Sequence, residues 1–570
     1  MSNPLRPRTN LEKVTPPKEL SKQQRHVIFE HIYRRIAIHR NDVERWANYE
    51  GFCTKRQDEN SIREKYVIEV EKWANELLEH TWIACEESGS GCPVVDPLTD
   101  TSTRDLPPLP PPEVLSRVLN TILLLSITSI KRYSSHTRAF LLTLGPLDEA
   151  AVLATLKDPS HAASNSNDLN VNAESHTQSA KNAQAQKNKI WRRVGITGAA
   201  IAGGVLVGVT GGLAAPLVGA GVTTILGALG VGGSAAGVLA AGLASSSAVC
   251  GALFGVYGAK EGADMVARHT KDVADLAIVP VRQPKDTLAV RVCVSGWLND
   301  RGDVTAPWTI FDDSEDTFAL QWEVEALQKL STALGDLIKS HAFKYVKIQI
   351  IRHTFLAALF ASLTPIAFLK LGQLIDNPWA NAKALAIKTG HVLGSLLALG
   401  AFGARPVTLH GYSLGSLVIL TALDHLASLN PSKSTHVVQD VFLMGTPAPA
   451  DSPTWTRARR AVAGRIVNAY TDAESDYVLA FLSRVALSTA AVRSFGVAGL
   501  QPVEIPGIEN VQVEGVEGHV SWRGICGRCL MMCGARGIDV DEAEAQERFV
   551  GGMIRRELEE ASENETSKTP

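Results

Sequence analysis

Cysteine is scarce and irregularly placed in this chain: eight among 570 residues, at Cys53, Cys85, Cys92, Cys250, Cys293, Cys526, Cys529 and Cys533. That excludes a small disulfide scaffold and points to a reducing, cytosol-facing compartment. A dominant charge sign is also lacking. Lysine and arginine total 56 against 59 acids, and a net charge of −3 supplies no overall electrostatic reason to expect nucleic acid as a partner. The opening MSNPLRPRTNLEKVTPPKEL has neither the apolar core of a secretory signal nor the extended amphipathic pattern of a transit peptide, so membrane entry is expected from an internal segment. With 45% hydrophobic and 20% charged residues, global disorder is excluded. At roughly 100 to 200 residues per domain, the length predicts two to four units.

The most local absence is the most informative. From Val194 to Ala259 there is no Asp, Glu, Lys, Arg or His. A ~30 Å hydrocarbon core needs roughly 20 helical residues, so this stretch is long enough for two or three crossings. Its small-residue spacing, as in Gly204, Gly208 and Gly212, lets helix backbones approach closely in lipid. We therefore expect residues 191–260 to form a Gly/Ala-rich transmembrane hairpin, with the lipid bilayer as partner.

Around it the chain divides by pattern. Residues 1–21 read as disordered, and 22–157 as a helical N-terminal unit with a Pro-rich connector at 86–112. Residues 158–190, rich in Asn, Ser, Ala and Gln, lack the large apolar side chains needed to offset ordering and read as a disordered linker. Short β-rich runs then alternate with helical text over 280–535, which predicts an α/β domain with a mostly parallel sheet and helices on both faces. TLAVRVCVSG, KYVKIQII, RPVTLHG, VVQDVFLMG, GRIVNAY and NVQVEG are the expected strands. Within 354–403, two apolar helices, about Phe355 to Ile375 and Ala382 to Gly403, are expected to form a cap on the sheet. Residues 536–570 predict an amphipathic helix and an acidic tail.

The chemistry concentrates at Gly411-Tyr412-Ser413-Leu414-Gly415, between the apolar run Val407-Thr408-Leu409 and the helical text SLVILTALDHLASL. A serine on a sharp strand-to-helix turn needs small neighbours, because strand and helix crowd it from both sides; Gly411 and Gly415 supply them. A serine hydroxyl also needs a general base, and the base an orienting carboxylate. Thr471-Asp472-Ala473-Glu474-Ser475-Asp476 offers the acid after a strand, with Asp476 the first choice and Asp472 the alternative. His519 follows the last expected strand and is the only histidine after His436. For an oxyanion, two backbone N–H groups are expected: that of Leu414, and that of Trp297 in the loop Ser295-Gly296-Trp297-Leu298.

VCVSGWLND, ALQWEVEAL, IDNPWANA, RPVTLHGYSLGSLVI, FLMGTPAP, the SDYVL segment and the GH of VEGHVSW, in that order behind TGGLAAPLVGAG, resemble the transmembrane and coiled-coil domain-containing family of membrane α/β-hydrolases of fungi and animals. The resemblance spans about Arg192 to Trp522. It implies an α/β-hydrolase fold, a multi-pass protein of an intracellular endomembrane with the hydrolase domain facing the cytosol, and Ser413, Asp476 and His519 as its triad. A trafficking adaptor is the implied protein partner, while the uncharged block and the apolar insert, not the resemblance, point to a lipid ester as the substrate class. Two departures stand out: Ser416, where relatives often carry alanine, and a longer acid loop, TDAESD.

Cys526-x2-Cys529-x3-Cys533 has metal-like spacing but no evident fourth ligand, so no metal and no cofactor is expected. These cysteines read instead as reduced thiols in a C-terminal loop, accessible to lipidation. The leading functional expectation is a membrane-associated serine ester hydrolase. The alternative is a membrane-anchored trafficking or scaffold protein that keeps the hydrolase architecture without needing turnover.

Overall fold

The computed structural model describes residues 10–53, 57–86, 91–159, 226, 231, 233–254, 273, 275–342, 365–451, 453–485 and 496–566. Residues 160–190 of the expected linker, most of 191–232, residues 255–260 and the expected strand KYVKIQII lie outside them.

Seven strands form one mixed sheet: β1 (Leu276–Pro280), β2 (Val290–Val294), β3 (Asp316–Trp322), β4 (Val407–Tyr412), β5 (Val438–Met444), β6 (Ile466–Tyr470) and β7 (Ile508–Gln512). Their spatial order is β1-β3-β2-β4-β5-β6-β7, and every pairing is parallel except β1 with β3. Every residue of β2 and β4 is buried, as both faces of a central parallel strand are covered, and this includes the polar Arg291, Thr408 and His410. The helix Leu414–Ser428 leaves β4 and packs against the long helix Pro365–Ala398. The described parts of the two expected helices fall mostly within that one helix, and residues 355–364 of the first lie outside the described residues. Pro378 lies inside it without ending it, and Trp379, Ala382, Ala386, Leu393 and Leu397 are buried in the core that surrounds the sheet.

A second apolar core belongs to the N-terminal helices Lys22–Cys53, Gln57–Ala84, Pro112–Ile130, Ser135–Leu144 and Glu149–Lys157. The last of these starts at an Asp148 cap, whose carboxylate accepts the Ala151 N–H at 2.9 Å. Residues 10–21, expected to be disordered, include the short helix Asn10–Lys13 and bury Leu11, Val14 and Leu20. The Pro-rich connector is held to the first long helix, with His31 Nε2 at 2.7 Å from the Pro107 carbonyl and Arg34 Nη1 donating to Ser102 O at 2.7 Å.

The uncharged segment takes a different form from the expected hairpin. Its described part is two short helices, Gly233–Ala244 and Ser246–Phe254, bent by 60° between Ala235–Ala244 and Ser246–Phe254. The bend has a local cause: both the Ser245 N–H and its hydroxyl bond back to Gly242 O. Gly242 also lies against Thr128, whose Oγ1 is 2.6 Å from where a Cβ would stand, so only glycine allows this approach. Leu239, Leu243, Val249 and Leu253 thereby join the N-terminal core. Among the described residues one helix, Pro112–Ile130, is long and apolar enough to cross a membrane, with mean hydropathy 1.4 and 67% of its span buried inside the protein.

The two cores meet along a polar seam. Arg138 bonds Glu149, Glu315 and Gln439, and buried Arg460 pairs with buried Glu50 at 2.7 Å. Removing one partner strands the other charge in an apolar setting. Glu50→Ala is therefore expected to cost about 3–5 kcal/mol, read as a lowered midpoint in chemical denaturation.

Three histidines also sit in this seam. His39 Nε2 lies 3.1 Å from His136 Nδ1, His136 stacks edge-on near His436, and His436 bonds the Ser134 hydroxyl at 2.9 Å. Burial pushes His39 down from 6.5 to about 4, helped by nearby Arg459. Burial, with Arg132 and Lys72, pushes His436 to about 3, and burial holds His136 well below its ordinary value. Unfolding frees these rings to take protons near pH 6.5, so stability is full above that pH and falls as the pH drops toward 4. For a ring held near 4 the loss approaches about 3 kcal/mol. Thermal melts from pH 7.5 to 5 should show this decline, and the His39→Gln/His436→Gln double variant should flatten it.

Candidate active site

Ser413 sits between β4 and the helix Leu414–Ser428 with φ 55 and ψ −131, backbone space that non-glycine residues rarely occupy. Its neighbours hold it there. The Ser413 N–H donates to Met444 O on β5 at 2.9 Å, and the Ser416 hydroxyl donates to Gly411 O at 2.7 Å while accepting the Met444 N–H at 3.1 Å. Ser416 thus ties the turn to the next strand, which gives the departure at this position a structural use. A Cβ on Gly415 would lie 2.0 Å from Val294 O, and one on Gly411 would lie 2.7 Å from Ile419 Cδ1. Strand β2 therefore passes against the turn with no room for a side chain.

The Ser413 hydroxyl is 2.6 Å from His519 Nε2, and His519 Nδ1 is 2.7 Å from Asp476 Oδ2. His519 opens a single 3-10 turn, His519–Ser521, behind Gly518, whose N–H bonds Ser475 O at 2.9 Å. Asp476 precedes the helix Tyr477–Val485 and accepts the Leu479 N–H on Oδ1 at 3.0 Å, an N-cap that fixes the carboxylate plane. With Nδ1–H donating to the carboxylate, Nε2 is left as acceptor for the serine proton. Ser413, Asp476 and His519 are all buried.

The two candidate acids are now separated by geometry. Asp472 is exposed and its carboxylate takes the N–H groups of Glu474 and Ser475, at 2.9 and 2.7 Å, and the Ser475 hydroxyl. Slight burial pushes its carboxyl up, but these donors outweigh it and hold Asp472 below the usual carboxylate range. It shapes the loop; Asp476 alone of the two bonds His519.

Leu414 is the first residue of its helix, where backbone N–H groups have no intrahelical partner. The loop Ser295–Leu298 is pressed onto the same turn: a Cβ on Gly296 would lie 2.2 Å from Gly415 N and Tyr412 O, and 2.3 Å from Leu414 N. The Tyr412 hydroxyl donates to Trp297 O at 3.0 Å, and the Trp322 indole donates to Ser295 O at 3.0 Å. The Trp297 ring stands edge-on to the His519 ring, 5.8 Å between centroids.

Sequence reasoning assigned no part to Tyr412, Trp322 or Trp522, which also reaches the site. The Trp522 indole N–H donates to Asp476 Oδ2 at 2.9 Å. Its signal was its spacing, three residues after His519, where a helical turn returns to the same side.

The three clustered cysteines are not in a loop. Cys526 and Cys529 lie on the helix Trp522–Met532 and Cys533 caps it, all three buried, so none of the three is offered at the surface for lipidation. Burial pushes the Cys526 thiol up to about 12, away from the thiolate a metal would need. Among the described residues no group of three or more His, Cys, Asp or Glu side chains is placed to hold a metal ion.

Fold and site together define an α/β protein with a serine, a histidine and an aspartate joined in one buried line of hydrogen bonds. The chain belongs to the family described as "Protein of unknown function (DUF726)", whose sequence profile matches residues 188–535. It is 39% identical over 297 residues to an uncharacterized membrane protein of Schizosaccharomyces pombe, covering 50% of this chain and 49% of that one. It is 35% identical over 292 residues to the transmembrane and coiled-coil domain-containing protein STS1 of rice, covering 50% and 43%, which carries the resemblance beyond fungi and animals into plants. It is 31% identical over 304 residues to the probable lipase MIL1 of Saccharomyces cerevisiae, covering 52% and 27%. The matches thus span about half the length of these relatives or less. No solved structure matches the chain.

Proposed function

We propose that this chain is a membrane-associated serine hydrolase of the α/β-hydrolase fold that cleaves an ester, with lipid esters as its substrate class. The observation that carries the reading is the continuous bonding of Ser413, His519 and Asp476, on a serine held at strained φ between strand and helix. The chain order Ser, Asp, His and the strand-turn-helix context are those of α/β-hydrolases. A parallel sheet with one antiparallel edge strand supports the same fold.

His519 Nε2 takes the Ser413 proton as Oγ attacks the ester carbonyl, and Asp476 stabilises the imidazolium that forms. The N–H groups of Leu414 and Trp297 receive the developing oxyanion. Collapse of the tetrahedral intermediate passes the proton from His519 to the departing alcohol and leaves an acyl-serine. Water, deprotonated by the same histidine, then releases the acid.

The membrane part of the reading rests on the uncharged Val194–Ala259 stretch, the apolar helix Pro112–Ile130 and the names of the S. pombe and rice relatives. The yeast relative's name, probable lipase, favours a lipid ester. We place the protein across an intracellular endomembrane, spanning it more than once, with the sheet on the cytosolic side, where cysteines that form no disulfide stay reduced. Carbonate extraction should leave it in the pellet, and recovery in the supernatant would end the membrane assignment.

The hydrolase reading is tested with a fluorophosphonate probe on detergent-solubilised protein. A covalent adduct mapped to Ser413 by mass spectrometry is the expected result; folded protein that takes no adduct would overturn it. Gly296→Ala is a second check. Its new Cβ forces the Trp297 peptide away from Leu414, so kcat/KM for a p-nitrophenyl ester should fall about 10²- to 10³-fold, as when one oxyanion donor is lost.

The trafficking-scaffold reading is favoured by one observation, that Ser413 is only 1% exposed. It predicts full rescue of a deletion strain by a Ser413→Ala allele, with an adaptor as the binding partner.

A further inference from the structure

Asp476 Oδ2 accepts two N–H groups at once, His519 Nδ1–H at 2.7 Å and the Trp522 indole at 2.9 Å. We propose that Trp522 is a positioning residue that sets the strength of the catalytic base, dividing the charge of one carboxylate oxygen between indole and imidazole. The proposal rests on the hydrolase reading above.

Nothing about packing alone requires this arrangement. A buried tryptophan needs only some acceptor for its N–H, yet this one takes the oxygen on which the triad histidine depends. Trp522 is wholly buried, and the chain bends beneath it at Gly445, which has φ +56 and would carry a Cβ only 2.7 Å from the indole nitrogen. Gly445 is anchored by its own N–H to Ala469 O at 3.0 Å. With Leu479 N–H on Oδ1, the buried carboxylate is fixed by three donors and cannot turn to offer Oδ1 to the imidazole.

The electrostatic consequence has a definite sign. A donor on an ionised carboxylate stabilises the charge and lowers its proton affinity. Asp476 then pulls less on His519 Nδ1–H than a carboxylate oxygen bonded to the imidazole alone would. Two charged groups on the surrounding elements are engaged elsewhere: Arg523 pairs with buried Asp303 at 2.5 Å, and Asp472 holds the loop N–H groups. The indole is therefore the adjustable contact on the triad acid.

The test removes the N–H without removing the ring. In the full-length protein, Trp522 is replaced by 3-benzothienylalanine, in which sulfur stands for N–H, and separately by phenylalanine. The pH profile of kcat/KM for a p-nitrophenyl ester is then compared with wild type. The acid limb is expected to move up by about half to one pH unit, so that kcat falls up to about 10-fold below the limb while its high-pH limit and KM change little. An unmoved limb and unchanged kcat in the benzothienyl protein would overturn the proposal; a purely packing role predicts that result, because the isostere fills the same space. A second readout needs no turnover: the far-downfield proton resonance of His519 Nδ1–H should shift in the isostere and titrate at higher pH. A resonance that does neither overturns the proposal even if hydrolysis is absent. A shifted resonance in a protein that takes no adduct at Ser413 supports the positioning role while sinking the hydrolase reading, so the two fail separately.

Discussion

Ser413→Ala is expected to reduce ester turnover on the order of 10⁶-fold while the protein folds normally. The serine contributes the only bond-forming atom, and without Oγ the imidazole has nothing to deprotonate except water at a misplaced position. Stability should change little or rise. The strained backbone at φ 55 is held by the Met444 and Ser416 bonds and by the close passage of β2, none of which involves the Ser413 hydroxyl. The hydroxyl's one partner is His519. A coupled loss of activity and folding would mean that the hydroxyl is structural, and the scaffold reading would gain. The measurement is initial rate against a short-chain p-nitrophenyl ester, beside a thermal melt of the same preparation.

Asp476→Asn is expected to lower kcat about 10⁴-fold. The amide can keep the Leu479 N–H bond through its oxygen, but its NH₂ cannot accept from His519 Nδ1. The imidazole then settles in the wrong tautomer, with Nε2 protonated and unable to take the serine proton. Asp472→Asn serves as the internal control. Its carboxylate lies outside the Ser413–His519 line, so activity should stay within about twofold, as for most surface changes. If the two variants exchange these outcomes, the assignment of the orienting acid is wrong.

The site was legible because its requirements are local. A G-x-S-x-G turn between an apolar run and a helix-forming run can be read directly from spacing, and His519 stood out as the last histidine in the chain. Choosing between Asp472 and Asp476 needed three dimensions, since both lie four residues apart in one loop and only the hydrogen bonds differ. The sheet was less legible at its antiparallel edge. β1 is five residues ending in proline and only partly buried, too short to announce itself. β3 hides its apolar face behind polar residues that are satisfied by distant partners, Asp316 by Arg405 at 2.9 Å and Gln321 by Asp275 at 2.6 Å. The long helix Pro365–Ala398 was misread as two because a proline in helical text usually ends a helix, whereas here Trp379 and the residues after it are buried against the core. The uncharged segment was read from composition, which reports what a stretch tolerates and not what covers it. Thr128 and the N-terminal helices cover its described part.

The Glu50–Arg460 pair has a meaning for chimeras as well as for folding. The stretch shared across the family, residues 188–535, contains Arg460 but not Glu50. The matched stretch of this chain thus carries a buried cation whose counter-charge is supplied from outside its borders. A chimera that joins residues 188–535 of this chain to a foreign amino-terminal half must bring an acid to the same place or replace the arginine, because otherwise that charge is left buried and uncompensated.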